Sequence, residues 1–343
     1  MLSLRFNLGF LAPLALLLVG IDMRLLYSGV GWSDVAEVTR AAIDVALAGG
    51  NPYGIGYGVS FPPGAPFAYG PLALLWYLPF DNPANVDLAI SIGILAVLAL
   101  RGRILGLAVY ATVPIFLQLA SDGSNDTSVG LLLLIGLVLL ERLPRAGGFV
   151  LGLAVAFKPY AVAWAPPLLI WAGLGPLMAM VIGAAVLWLP AIVLWGLGPI
   201  LTSLRMATQI QELPYYSLGD ALDRLRIRLT HDQLDVIRIL AAGLATLGVV
   251  FNVRSHRSVV LGGAVIFVAT MYTGFWSTFA YLGALAPVIC WYLDGWVGNH
   301  ARIRWPLDPW GSLATEADLR WPKVHDSPRL PVRWRTRPPD AGR

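Results

Sequence analysis

Charge is what this chain has least of. Of its 343 residues 13% are charged and 57% hydrophobic, whereas a soluble domain carries about 25% charged residues. That deficit excludes a water-soluble globule for the body of the chain. Cysteine is nearly absent: Cys290 stands alone in an apolar run, so there is no disulfide framework and no Cys-based metal site. No small-residue cleavage site precedes Asp22, so Met1–Gly20, with basic Arg5 and an apolar core, reads as a retained first helix. Asp-x-Asp pairs and a convincing internal repeat are also lacking.

What is present is apolar sequence in repeated runs, such as Phe10–Val19, Leu131–Leu140 and Met178–Leu197, the composition of segments solvated by lipid. Such segments fall near 6–21, 66–80, 86–100, 104–120, 127–141, 147–157, 159–173, 176–197, 236–252, 258–274 and 278–297. Arginine clusters between them (Arg101 and Arg103; Arg142 and Arg145; Arg254 and Arg257) mark loops on the cytoplasmic side. If every segment crossed, Arg101 and Arg103 would lie outside. The conflict disappears if 66–80 stays at the interface, and its prolines (Pro66, Pro71, Pro79) and aromatics (Phe67, Tyr69, Trp76, Tyr77, Phe80) suit that place.

The expected fold is therefore an all-α polytopic membrane protein of about ten transmembrane helices, with interfacial helices in its outer loops. The membrane domain covers 1–298, with a first outer loop at 22–85 and a second at 198–235. The tail 299–343 holds the whole net charge of +4 and is rich in Pro and Trp. It reads as a poorly ordered cytoplasmic segment near anionic headgroups. Nucleic-acid binding is not expected, because no folded module accompanies the tail.

This topology gathers the polar residues on one side. After Ser33 and Asp34 an amphipathic helix begins, with apolar residues at 35, 38, 42, 45 and 46. Asp34 can cap it, or act as a general base from the membrane interface. In the turn Ser121-Asp122-Gly-Ser-Asn-Asp126, Asp126 can cap the next helix, with Gly123 and Asn125 making the turn. Lys158 ends a helix too short to reach the far surface, so it can face an anionic ligand or pair with Asp122 or Asp126. In the second outer loop Leu218, Leu222, Leu225 and Leu229 predict a surface helix carrying Arg224 and Arg228, and His231 follows it.

Several of these elements, in this order, resemble the GT-C superfamily of membrane glycosyltransferases. They are an early acidic residue after the first helix, Gly49-Gly50-Asn51-Pro52-Tyr53, Tyr69-Gly70-Pro71-Leu72, a run ending in Leu78-Pro79, and Gly152-Leu-Ala-Val-Ala-Phe157-Lys158-Pro159. The pattern is similar to the bacterial alpha-mannosyltransferase type, GT87, over roughly residues 1–175. Where that family often has a Gly-Gln-Asn-like turn, this chain has the 121–126 sequence.

The resemblance implies an inverting hexosyltransferase of a bacterial plasma membrane, acting on the outer face. It would move a sugar, mannose first, from a polyprenyl-phosphate donor to a lipid-linked or cell-envelope glycan. It implies Asp34 as the catalytic carboxylate and a second acidic position at Asp122 or Asp126. Lys158, Arg224 and Arg228 are then candidates for the donor phosphate. Tyr53, Tyr57, Tyr69, Asp122, Asp126 and His231 are candidates for sugar or acceptor, with Phe61 beside them as a stacking surface. No cofactor is expected; a divalent cation held by Asp34 and the 121–126 turn is the alternative. The competing class is a lipid or solute transporter, for which polar sites at the membrane midplane and repeated halves would argue.

Overall fold

The computed structural model describes residues 11–28, 33–211, 213–275 and 277–297. The described residues all belong to one compact unit. The expectations for residues 1–10 and for the tail 299–343 lie outside the described residues.

The described chain is almost wholly helical. In order it forms α1 (Leu11–Tyr27), α2 (Val35–Leu47), β1 (Gly56–Tyr57), β2 (Ala65–Pro66), α3 (Pro71–Tyr77), α4 (Pro83–Leu100), α5 (Ile104–Thr112), α6 (Pro114–Gln118), α7 (Asp126–Leu140) and α8 (Pro144–Phe157). A 3-10 helix (Pro159–Trp164) follows, then α9 (Ala165–Ala172), α10 (Leu174–Trp195), α11 (Leu197–Gln209), α12 (Leu218–Arg224), α13 (His231–Asn252), α14 (His256–Tyr272) and α15 (Tyr281–Val297). Prolines set many of the starts: Pro71, Pro83, Pro114, Pro144 and Pro159 stand in a first turn, where a missing N–H costs nothing.

Three helices, α4, α10 and α13, are long and apolar enough to cross a membrane. The segment 66–80 does not form such a helix. Its α3 has seven residues and rises only about 10 Å. The segment 104–120 breaks between α5 and α6, where Pro114 cannot donate to the preceding turn. The Gly/Pro-rich stretch after α2, which carried no strand signal, closes into a β1–β2 hairpin with Tyr57 opposite Ala65. The helix predicted through Leu229 stops at Arg224. Arg226 adopts a positive φ of 63°, so Leu225 and Ile227 leave the helical face and are exposed.

The helices share two common ends. At one end Asp294 of α15 accepts from the N–H groups of Leu105 and Gly106 at the start of α5. His256 of α14 meets Leu137 and Glu141 at the close of α7, and Trp171 of α9 and Tyr292 of α15 pack on its ring. Arg101, Arg103, Arg142, Arg145, Arg254 and Arg257 all belong to this end. At the other end Ser121 reaches the carbonyl of Tyr27, Asn51 that of Trp195, and Gly70 that of Phe157. Between the two, the described chain makes ten passes: α1, α4, α5 with α6, α7, α8, the 3-10 helix with α9, α10, α13, α14 and α15.

Small residues let these passes approach closely. The most closely packed pair is α8 against α10. A side chain at Gly148 or Gly152 would run into the carbonyls of Pro176 or Met180, and one at Gly183 into that of Phe149. Such small-residue seams bring backbones together where apolar burial does not separate helix from lipid.

Candidate functional site

Two stretches far apart in sequence meet at the end opposite the arginines. The Gly70 N–H donates to the Phe157 carbonyl at 2.8 Å. Gly70 has no room for a side chain, since a Cβ there would collide with the Ala156 carbonyl. This close approach puts Tyr69, the residue before it, beside Lys158, the residue after Phe157. The Lys158 ammonium lies 5.0 Å from the centre of the Tyr69 ring and 5.7 Å from that of Tyr160.

Lys158 is buried, at 4% exposure. Its Nζ lies 2.9 Å from Oδ1 of Asp126 and donates to the Ser124 carbonyl at 3.0 Å. The pairing open between Asp122 and Asp126 is thus made with Asp126. Tyr160 donates to the same Oδ1 at 2.5 Å. Asp126 begins α7, but its carboxylate serves the ammonium and the tyrosine rather than capping. Gly123 and Asn125 make the turn before it with positive φ, 76° and 59°. An ammonium has three N–H donors, and two have partners here, which leaves one for an anion.

Asp122 is also buried, and its Oδ1 accepts from the Ser124 N–H at 2.9 Å. Burial pushes its carboxyl up to about 6; the Ser124 bonds oppose the rise, Asp126 adds to it, and Lys158 counters it. The turn packs on α2, since a Cβ at Gly123 would come within 2.7 Å of Ala36 Cβ. The acidic turn therefore abuts the start of the helix that Asp34 precedes.

Asp34 does not cap that helix. Its side chain makes no cap bond; Ser33 Oγ accepts from the Val35 N–H instead, at 3.3 Å. The Asp34 Oδ2 reaches across to accept from the Phe61 N–H at 2.7 Å, tying α2 to the hairpin tip. Partial burial raises its carboxyl above the usual range, the bond from Phe61 opposes this, and Glu37 adds to it. The Tyr69 hydroxyl is raised well above its ordinary value, first by desolvation and next by the nearby Asp34 charge, with Tyr281 and Asp126 contributing. Tyr69 is thus in contact with Lys158 and within electrostatic reach of Asp34.

The other expected residues are placed differently. Tyr53 and Tyr57 are buried, their hydroxyls donating to the carbonyls of Tyr69 and Pro52 at 3.1 and 2.8 Å. Tyr53 packs on Phe67 and Trp195, so both tyrosines build the loop from within instead of presenting a free ring face. Arg224 and Arg228 are exposed and hold Asp220 and Asp223 at 3.0 and 3.1 Å. Among the described contacts neither arginine touches Asp34 or Lys158. His231 stacks on Phe275, ring centres 3.6 Å apart.

Sequence reading missed Asp87. It sits in α4 at 1% exposure, and its Oδ1 accepts from Tyr77 at 2.9 Å and Ser128 at 2.5 Å. An aspartate one turn into an apolar run was the available signal. Tyr160 and Tyr281, packed edge-to-face at 5.7 Å, were missed as well. Among the described residues, no three His, Cys, Asp or Glu side chains are grouped so as to hold a metal ion.

Fold and site together define a helical protein with membrane-length apolar helices and a buried lysine–carboxylate pair ringed by tyrosines. Comparison with family models, curated proteins and solved structures finds no match for the chain.

Proposed function

We propose that the protein is a multi-pass membrane glycosyltransferase of the bacterial plasma membrane, with the ten passes as its crossings and the site on the outer face. It would transfer a hexose from a polyprenyl-phosphate donor to a hydroxyl of a lipid-linked or envelope glycan, as the GT-C resemblance implies. The observation that supports this reading is the packing of the 121–126 turn, which holds the buried ammonium of Lys158, against the start of α2, which Asp34 precedes. General-base transfer needs those two charges near one another but unpaired with each other.

In the proposed step the acceptor oxygen attacks the anomeric carbon as Asp34 takes its proton. The bond from that carbon to the phosphate oxygen breaks, the anomeric configuration inverts, and polyprenyl phosphate leaves with the bonding electrons. The remaining N–H of Lys158 would meet the phosphate charge, with the Tyr69 ring moving aside to admit it. Asp126 and Tyr160 hold the ammonium in place. Arg224 and Arg228 would have to leave their aspartates to take part, so Lys158 carries the phosphate role in this scheme.

The test is consumption of donor by the purified protein in lipid, offered a panel of polyprenyl-phosphate sugars with a glycan acceptor. Loss of one donor by the wild type but not by Asp34→Asn supports the reading; no consumption of any donor sinks it. One observation favours the transporter alternative: the fully buried Asp87 and Asp126 in helices of the bundle. Substrate-dependent proton uptake into proteoliposomes without sugar transfer would decide for it.

A further inference from the structure

We infer that the arginine end of the protein binds the headgroup of an anionic phospholipid, on a surface formed by Arg103, Tyr292 and Arg257. The inference begins from how unequally the two ends neutralise their arginines. At the tyrosine end, Arg40, Arg224, Arg228 and Arg238 each hold an aspartate. At the opposite end, none of Arg101, Arg103, Arg142, Arg145, Arg254 and Arg257 has an ion-pair partner among the described residues. The carboxylates there are already engaged. Glu141 faces His256 at 3.4 Å, and Asp294 accepts from the first N–H groups of α5 at 3.0 and 2.9 Å.

Within this end three groups form a continuous surface. The Arg103 guanidinium lies over the Trp291 ring, 5.2 Å from its centre, and its Nε is buried without a partner. The next residue on α15 is Tyr292, whose buried hydroxyl lies against the Glu141 carboxylate and near Arg103. Tyr292 stacks on Trp296 at 6.0 Å, and the exposed Arg257 lies over Trp296 at 5.9 Å. A guanidinium held flat on an indole keeps its N–H edge available for a phosphate. Tryptophans and tyrosines at this level suit the headgroup zone of a bilayer. The ligand that fits two cations on an aromatic floor in that zone is a lipid phosphate with a net negative charge.

The test uses the full chain in detergent, titrated with phosphatidylglycerol or phosphatidylcholine and read by native mass spectrometry. Phosphatidylglycerol should be retained in preference to phosphatidylcholine. The Arg103→Gln/Arg257→Gln variant should retain it about 25-fold less well, from about fivefold per basic residue at an anionic surface. Arg103→Lys, which keeps the charge, should lose far less. Arg224→Gln/Arg228→Gln at the opposite end should behave as wild type. Equal retention of the two lipids, or unchanged retention by the double variant, overturns the inference. So does full competition by millimolar inorganic phosphate, which would make this a soluble-anion site. A surface covered by the chain's own tail would retain no phosphatidylglycerol, and that result also overturns it.

Discussion

Replacing Lys158 by methionine tests the buried pair directly. The substitution keeps the length of the side chain and removes the ammonium that lies 2.9 Å from Asp126 and 3.0 Å from the Ser124 carbonyl. Asp126, 1% exposed, then keeps Tyr160 as its hydrogen-bond donor but loses its counter-charge. Breaking a buried pair from one side costs about 3–5 kcal/mol. Protonation sets a ceiling, because neutralising an ordinary aspartate at pH 7 costs about 4 kcal/mol, falling to about 1.5 kcal/mol at pH 5. The expected loss is therefore about 3–4 kcal/mol at pH 7 and less than half of that at pH 5. Removing both charges, in Lys158→Met/Asp126→Asn, should restore stability to within about 1–2 kcal/mol of wild type, since no unpaired charge remains. Reversible unfolding in mixed micelles, followed by tryptophan fluorescence, measures all three. Wild-type stability of Lys158→Met at pH 7, or a loss equally large at pH 5, would refute the pairing as the source of stability. The double variant separates roles: if it is stable yet inactive, Lys158 does more than hold the fold.

Asp34→Asn keeps an oxygen to accept from Phe61 and should fold normally while donor turnover drops about 10²–10⁴-fold, the usual worth of a general base; wild-type turnover would remove Asp34 from that role. Asp122, pushed up to about 6 by burial, favours the folded state while protonated. Its contribution is present below about pH 4 and is lost as pH rises through about 6, up to about 3 kcal/mol by pH 7. Asp122→Asn should flatten that decline in unfolding measured from pH 4 to 7; identical profiles would contradict it. Gly70→Ala places a Cβ against the Ala156 carbonyl and should destabilise by about 1–3 kcal/mol, with transfer lost as Tyr69 separates from Lys158; unchanged unfolding and activity would show that the contact yields. In a Cys290-free background, a cysteine at exposed Asn85 should label from outside and one at exposed Arg101 only from the cytoplasm; the reverse pattern would invert the topology.

Helix positions were legible because apolar runs and prolines punctuate this chain clearly. Arginine counting argued that 66–80 does not cross, and α3, at seven residues, is indeed too short to do so. Helix ends were less legible. Nothing near Leu225 announces the left-handed Arg226, and the β1–β2 hairpin rests on contacts that no alternating pattern advertises. In the site, Lys158 stood out as an isolated lysine at the end of a short apolar helix, but its choice of Asp126 over Asp122 depends on how α7 and α8 pack. Tyr53 and Tyr57 looked like open rings in a polar loop. The burial of Tyr53 comes from Phe67 and Trp195, residues whose proximity only the fold supplies. Asp87 was passed over because it stands at the edge of the apolar run 86–100, whereas α4 already begins at Pro83 and carries it one turn into the bundle.

Helix α8 has 14 residues, a rise of about 21 Å, against a hydrocarbon layer of about 30 Å. Starting from the arginine surface, it stops roughly a third short of the opposite one. The lysine at its tip would then sit at the bottom of a dip rather than on a flat rim. In the glycosyltransferase proposed above, depth itself would act as a sieve: a slender chain-end would descend to that floor, while a bulky branched glycan would be halted above it.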